Sequence, residues 1–158
     1  MGADFATYAT KLSQLGVERD FFAAELEDFS PADQVFLSVW TFYMEFYNGG
    51  FFQYFANSSG RLVPSLENSL RAIGFDKGAS IAEEAIGEVG SDVMWEDEGD
   101  RMSKVYGLPS EVRKRLSDLS GRFNSHLDEM MKKLFDFLTE RRDQIDVPAD
   151  FWTELAKQ

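Results

Sequence analysis

The chain has 158 residues and a mass of 18.0 kDa, which fits one domain with a core large enough to fold without covalent staples. Hydrophobic residues make up 44% and aromatics 15%, with 15 Phe, so the chain is not disordered; with no Cys it has no disulfide, thiolate zinc site or cysteine nucleophile, and one His excludes a His-rich metal site. The 28 acids against 16 bases give a net charge of −12 and a pI near 4.5, which opposes direct binding to nucleic acid or to an anionic membrane.

Helical periodicity runs through nearly the whole chain. Phe5, Tyr8, Leu12 and Leu15 step by 3, 4 and 3 and predict a helix ending at Gly16. Glu18 to Phe29 places Phe21, Phe22, Leu26 and Phe29 on one broad face and predicts a second. Ser30-Pro31-Ala32-Asp33 is a strong start signal: Ser30 can cap, Pro31 suits the first helical position, and Asp33 meets the positive end of the helix dipole. The helix that follows, about 31–47, is apolar on almost every face, as expected for the buried centre of a bundle, and stops at Asn48-Gly49-Gly50. Its most apolar stretch, Val35 to Tyr47, contains Glu45 and at 13 residues is shorter than the ~20 a membrane span needs. A short helix from Phe51 to Ser58 comes next, then one opened by Pro64 and running to Gly74, then one over Ala79 to Val89.

Residues 90–108, with three glycines and the run Glu96-Asp97-Glu98-Gly99-Asp100, are expected to be loop. From Pro109 to Gln144 the stripe Leu116, Leu119, Phe123, Leu127, Met130, Leu134, Leu138 predicts a helix of about 54 Å, breaking near Ser120-Gly121. Pro148 starts a C-terminal segment with Phe151, Trp152 and Leu155, which close the core or form a self-association seam, as do Met130 and Met131. The expected architecture is a single all-α domain over 1–158, a helical bundle of about six to eight helices around a buried aromatic central helix. The N-terminus lacks a basic region followed by an apolar run, so a soluble cytoplasmic protein is expected.

Catalytic motifs are missing. There is no phosphate-binding Gly-Lys-Ser/Thr loop and no Gly-x-Ser-x-Gly elbow, and His126 reads as a partly exposed helical residue. A calcium loop with Gly99 at its sixth position would put Met94 first and Val105 twelfth, and neither can ligate. Looser divalent binding by Glu96, Asp97, Glu98 and Asp100 stays open, but no metal or cofactor is expected and the chain does not read as an enzyme.

Charge is distributed unevenly. Residues 1–100 carry 18 acids and 5 bases, whereas 101–158 carry 10 and 11. Glu83, Glu84, Glu88, Asp92, Glu96, Asp97, Glu98 and Asp100 form an array with no base among them. Glu18, Asp20, Glu25, Glu27, Asp28 and Asp33 form a second patch opposed only by Arg19. Both are expected to stand unpaired, either as a solvated surface or as a surface for a basic partner. Glu84 and Glu88, one turn apart, lie about 6 Å apart along the axis, of the order of the ~3.4 Å phosphate spacing of one DNA strand.

One stretch is unusual as text: Asn48-Gly49-Gly50-Phe51-Phe52-Gln53-Tyr54-Phe55-Ala56-Asn57-Ser58-Ser59-Gly60. Gln53 and Asn57 share one side of a short helix. Their amides, with Ser58 and Ser59, are expected to satisfy backbone groups where helices stop; a polar pocket or contact surface is the other reading. This stretch, with Leu66, Leu70, Arg71, Ala72, Ile73 and Gly74 after it, resembles a bacterial family named for a DNA-mimic protein and otherwise labelled a domain of unknown function. The family-like core covers about 30–145, with the closest match between Trp40 and Ile81. The resemblance implies an all-helical fold and a dimeric acidic protein, the family's named member being one that occupies the DNA-binding surface of a transcription factor.

The matching residues, Asn48 through Gly60, are helix breakers and core aromatics, so they carry the fold, and the function must rest on the carboxylates. The leading expectation is an interaction module presenting the 83–100 array, with the 18–33 patch, to the basic DNA-binding surface of a helix-turn-helix regulator. An immunity-type inhibitor of a cationic toxin such as a nuclease is one alternative. A small-ligand binder or enzyme using Gln53 and Asn57 is another, and it requires a cavity beside them.

Overall fold

The computed structural model describes residues 5–18, 25–145 and 150–153. Among them are eight α-helices and no strand: α1 Phe5–Glu18, α2 Pro31–Ala56, α3 Val63–Ala72, α4 Asp76–Val89, α5 Glu98–Tyr106, α6 Ser110–Asn124, α7 Leu127–Glu140 and α8 Asp150–Thr153. The chain is therefore the all-α, single-domain bundle its periodicity calls for. No described helix is long and apolar enough to cross a membrane.

Helix α2 is the centre. Its start follows the sequence: Ser30 Oγ accepts the Asp33 N–H at 3.2 Å, and Pro31 occupies the first turn. Helices α3, α5, α6 and α7 all pack against it, while α4 packs on α3 and α6, and α1 on α7. Phe42, Phe46, Phe51 and Phe75 close on Phe123 of α6, with ring centroids 5.1, 5.2, 5.7 and 5.8 Å away. These rings are buried, and burying each stabilises the fold by about 1.5–3 kcal/mol. Met130 and Met131 are fully buried, so they belong to the core. Phe151 and Trp152 are half-buried against it.

The elements depart from the sequence reading in four places. Helix α1 runs past Gly16 to Glu18, because the backbone there is packed against the Trp40 indole and stays helical. The helix expected over Glu18–Phe29 is present in its described part only as a 3₁₀ turn, Leu26–Asp28; Phe21 and Phe22 lie outside the described residues, as does Leu155. Residues 98–106, expected to be loop, form α5. Asp97 caps it by accepting the Asp100 N–H at 2.7 Å, so the acidic run reads as a helix start. The long C-terminal helix breaks at Ser125-His126. Gly121 remains helical, whereas the Ser125 hydroxyl donates to the Arg122 carbonyl and competes with the helical ladder. The break lets α6 lie on α2 and α4 while α7 turns towards α1.

The stop expected at Asn48-Gly49-Gly50 is present as a sharp kink, with non-helical backbone at Gly49 and Gly50 separating the two helical halves of α2. Gly50 sits at φ 70°, ψ −161°, a region that L-residues with a Cβ avoid, and a Cβ there would lie 2.6 Å from Ser120 Oγ. Ser120 resolves the interrupted ladder. Its Oγ accepts the Phe51 N–H at 3.0 Å and donates to the Leu116 carbonyl at 2.8 Å.

Candidate functional site

The 83–100 array is assembled from three pieces. Helix α4 carries Glu83, Glu84 and Glu88; the connection after it carries Asp92, Glu96 and the capping residue Asp97; the first turn of α5 carries Glu98 and Asp100. The expectation that it stands unpaired fails. The bases of the last third of the chain, on α5 and α6, fold back onto it. Arg115 Nε lies 2.7 Å from Glu88 and Arg122 Nη1 lies 3.3 Å from Glu84. Arg71 of α3 reaches Glu83 at 3.6 Å, together with Glu67 and Asp76. Lys104 of α5 sits between Asp100 at 3.1 Å and Asp92 at 3.6 Å. The Met94 N–H first, and then Lys104, hold the Asp100 carboxyl below the usual carboxylate range.

Glu96, Asp97 and Glu98 are different. They are exposed and make no ion pair among the described residues. They gather at the N-terminal end of α5, where the helix dipole favours negative charge.

The second patch divides similarly. Glu25, Glu27 and Asp28 are exposed around the Leu26–Asp28 turn, and Asp28 Oδ2 accepts the Glu25 N–H at 3.2 Å. Asp33 is corrected out of the patch: it is 6% exposed, in the first turn of α2, where its backbone N–H donates to Ser30 Oγ. Glu18 ends α1 with its side chain outside the described residues, and Asp20 lies outside them altogether. The fold then brings together what the sequence separates. Glu25, Glu27 and Glu96 line one cleft of about 830 Å³, with Gln34 and Asn68 between them and Arg61 also on its wall.

The Asn48–Gly60 motif is largely structural, but its amides do something other than cap helices. Gln53 Nε2 and Asn57 Nδ2 both donate to Glu45 Oε2, at 3.2 and 2.8 Å. The kink at Gly49-Gly50 turns the second half of α2 so that these two residues face Glu45 on the first half. Asn48 Nδ2 donates to the Met44 carbonyl at 3.1 Å, and Ser59 Oγ donates to the Tyr54 carbonyl at 3.1 Å, so these two do satisfy backbone. Ser58 is exposed, and Phe51, Tyr54 and Phe55 are fully buried. Gly60 admits a close neighbour: a Cβ there would lie 2.5 Å from Arg101 Cδ and 2.4 Å from the Phe55 carbonyl. Arg101 is 2% exposed, and its Nη1 donates to the Trp95 carbonyl at 2.5 Å. Burial pulls its guanidinium pKa down, and Glu98 and Asp97 oppose that.

On the other side of Glu45 lies a cavity of about 310 Å³. Its walls are mostly apolar, from Leu37, Trp40 and Met44 of α2 with Phe29 and Leu62 opposite. The small-ligand reading of the motif required a cavity here, and one is present, faced by Glu45 rather than by Gln53 or Asn57 themselves. His126 is the junction between α6 and α7, half-buried, with Nδ1 3.9 Å from the Glu129 carboxylate. No group of three or more His, Cys, Asp or Glu arranged to hold a metal occurs among the described residues.

Two features escape a reading of the sequence. The pairing of α4 with Arg115 and Arg122 depends on helix packing across 27 and 38 residues, which no local pattern encodes. Glu45 does leave a signal, as the one charged residue within the apolar run from Val35 to Tyr47.

A family model described as DMP19-like protein matches residues 27–141. No curated protein and no solved structure matches the chain.

Proposed function

The chain belongs to the DMP19-like protein family, and from that membership we propose that it works as a DNA mimic, presenting carboxylates to the basic DNA-binding surface of a transcription regulator and blocking its access to DNA. One observation carries the reading: Glu96, which like Asp97 and Glu98 makes no ion pair among the described residues, lines one cleft together with Glu25 and Glu27. Two acidic segments some seventy residues apart in the chain thereby become one surface. The ion-paired carboxylates of α4 extend it. Exposed pairs such as Glu84–Arg122 are worth at most ~1 kcal/mol, so a partner's arginine can displace the internal one at little cost. Association on this basis is steered by charge and weakens steeply with salt.

The test is capture from native-host lysate, eluted with a salt gradient and identified by mass spectrometry. A basic helix-turn-helix regulator that DNA competes away supports the reading. A basic nuclease recovered instead moves it to an immunity-type inhibitor. With the partner in hand, substituting Glu84, Glu88, Glu96 and Glu98 together by Gln should lower affinity and flatten its salt dependence. Unchanged affinity and slope would refute the mimic.

A further inference from the structure

The strongest unassigned feature is the chamber beside Glu45. Leu37, Thr41, Met44 and Glu45 follow one another along a single face of α2, and three of the four are apolar or weakly polar. The fourth ends the row with a carboxylate. At about 310 Å³ the chamber lies at the small end of the range for ligand sites, and an apolar lining with few convergent polar groups is the usual composition of such sites.

Glu45 is held in a particular way. Both motif amides donate to one oxygen, Oε2. The other, Oε1, takes no hydrogen bond, and Glu45 makes no ion pair, among the described residues. Two neutral donors fix the direction of the carboxylate without cancelling its charge. Arg61 also lines the chamber; it has interactions of its own, and no ion pair to Glu45 occurs among the described residues. A partly buried carboxylate that opens onto apolar walls suits a cation that brings its own apolar body. Trp40, 8% exposed and stacked on Phe36 at 6.0 Å, offers a rigid indole as the wall.

We propose that this chamber is a binding site for a small apolar cation, an arylalkyl- or alkylammonium ion. Its hydrocarbon body lies among Leu37, Trp40, Met44 and Leu62, and its ammonium pairs with Glu45. The role of the Asn48–Gly60 motif then extends beyond breaking a helix: the kink delivers Gln53 and Asn57 to Glu45 and sets the carboxylate before any ligand arrives. This site adjoins the acidic cleft proposed to meet a regulator, sharing Leu26, Arg61 and Leu62 with it, but its ligand is held by Glu45, which is not part of that cleft.

The test is calorimetric titration of the full chain with three probes of one shape: tryptamine, its neutral alcohol analogue tryptophol, and the anion indole-3-propionate. Tryptamine should bind saturably, at least about tenfold more tightly than tryptophol, with indole-3-propionate weakest. Glu45→Gln keeps an acceptor for both amides, so it should fold, lose the tenfold preference and bind tryptophol as before. Thr41→Lys places an ammonium one turn before Glu45 and should abolish tryptamine binding with the melting temperature retained. The proposal is overturned if tryptamine shows no saturable heat up to about 1 mM, a limit near −4 kcal/mol. Equal affinity for tryptamine and tryptophol overturns it too, as does undiminished tryptamine binding by both variants.

Discussion

At the scale of single residues, Gly50 and Ser120 form the tightest dependency in the molecule. Gly50→Ala must adopt φ 70° and meets Ser120 Oγ at 2.6 Å, so it should cost about 2 kcal/mol or more, read as a lowered urea midpoint. Gly121→Ala, only one residue from Ser120, has open space around the new Cβ and should be neutral to slightly stabilising, which makes it the matched control. Tyr54 makes the opposite prediction. Its ring is fully buried against Phe42, but its hydroxyl finds no hydrogen-bond partner among the described residues, and burial raises its pKa strongly. Tyr54→Phe removes an unsatisfied polar atom and keeps the packing, so stability should hold or rise by about 1 kcal/mol in the same denaturation experiment. The motif's amides illustrate how far a residue-level reading reaches. That Gln53 and Asn57 share one side of a helix is plain from their spacing of four. That both serve Glu45 is invisible in the sequence, because the kink angle at Gly49-Gly50 decides which face of the first half they meet.

At the scale of elements, helices with a clean apolar stripe were legible and their ends were legible where capping is local. The start of α2 follows from Ser30-Pro31, and α3, α4 and the stripe along α6 and α7 lie where the spacing puts them. Two other boundaries are set by short-range side-chain bonds that composition alone does not reveal. Helix α5 was hidden because its acids and glycine read as loop, yet Asp97 and Asp100 are consumed in capping and in holding the Met94 N–H. The break in the C-terminal stripe was placed at a glycine, the residue of lowest helix propensity, but the fold bends the chain at Ser125, where a hydroxyl takes up a backbone carbonyl. Element contacts also set the acid limb of stability. The carboxyls of Asp100 and Glu129 are held below their ordinary values of 3.8 and 4.5, the first by the Met94 N–H and Lys104, the second by Lys77. A depressed folded pKa means stabilisation that is complete above the ordinary value and lost as pH falls through the folded one. Stability should therefore be flat through neutrality and fall below about pH 4.5. Asp100→Asn, which can still accept the Met94 N–H, should fall less steeply on acidification in chemical denaturation followed from neutral pH downward.

At the scale of the whole molecule, the charge map of the chain and that of the folded protein differ. The first hundred residues hold all of the excess acid, yet bases from the C-terminal third pair with Glu84 and Glu88 of α4. Among the described residues, the carboxylates of the two sequence patches that make no ion pair are Glu96, Asp97 and Glu98 at the start of α5 and Glu25, Glu27 and Asp28 around the Leu26–Asp28 turn. If this residual surface is what a basic partner meets, replacing Glu96 and Glu98 by Gln should weaken capture more than replacing Glu84 and Glu88, whose charges are already opposed by Arg122 and Arg115. Affinity measured at two salt concentrations for each pair decides it. The bond between Ser120 and Phe51 has a consequence of another kind, in time. The Phe51 amide is translated 69 residues before its acceptor. At ~5–20 residues per second, about 3–14 s pass on the ribosome before the second half of α2 can be completed. Through that interval Phe42, Phe46 and Phe51 have no Phe123 to close on, so the most aromatic stretch of the chain waits in its nascent form for the segment that helps bury it.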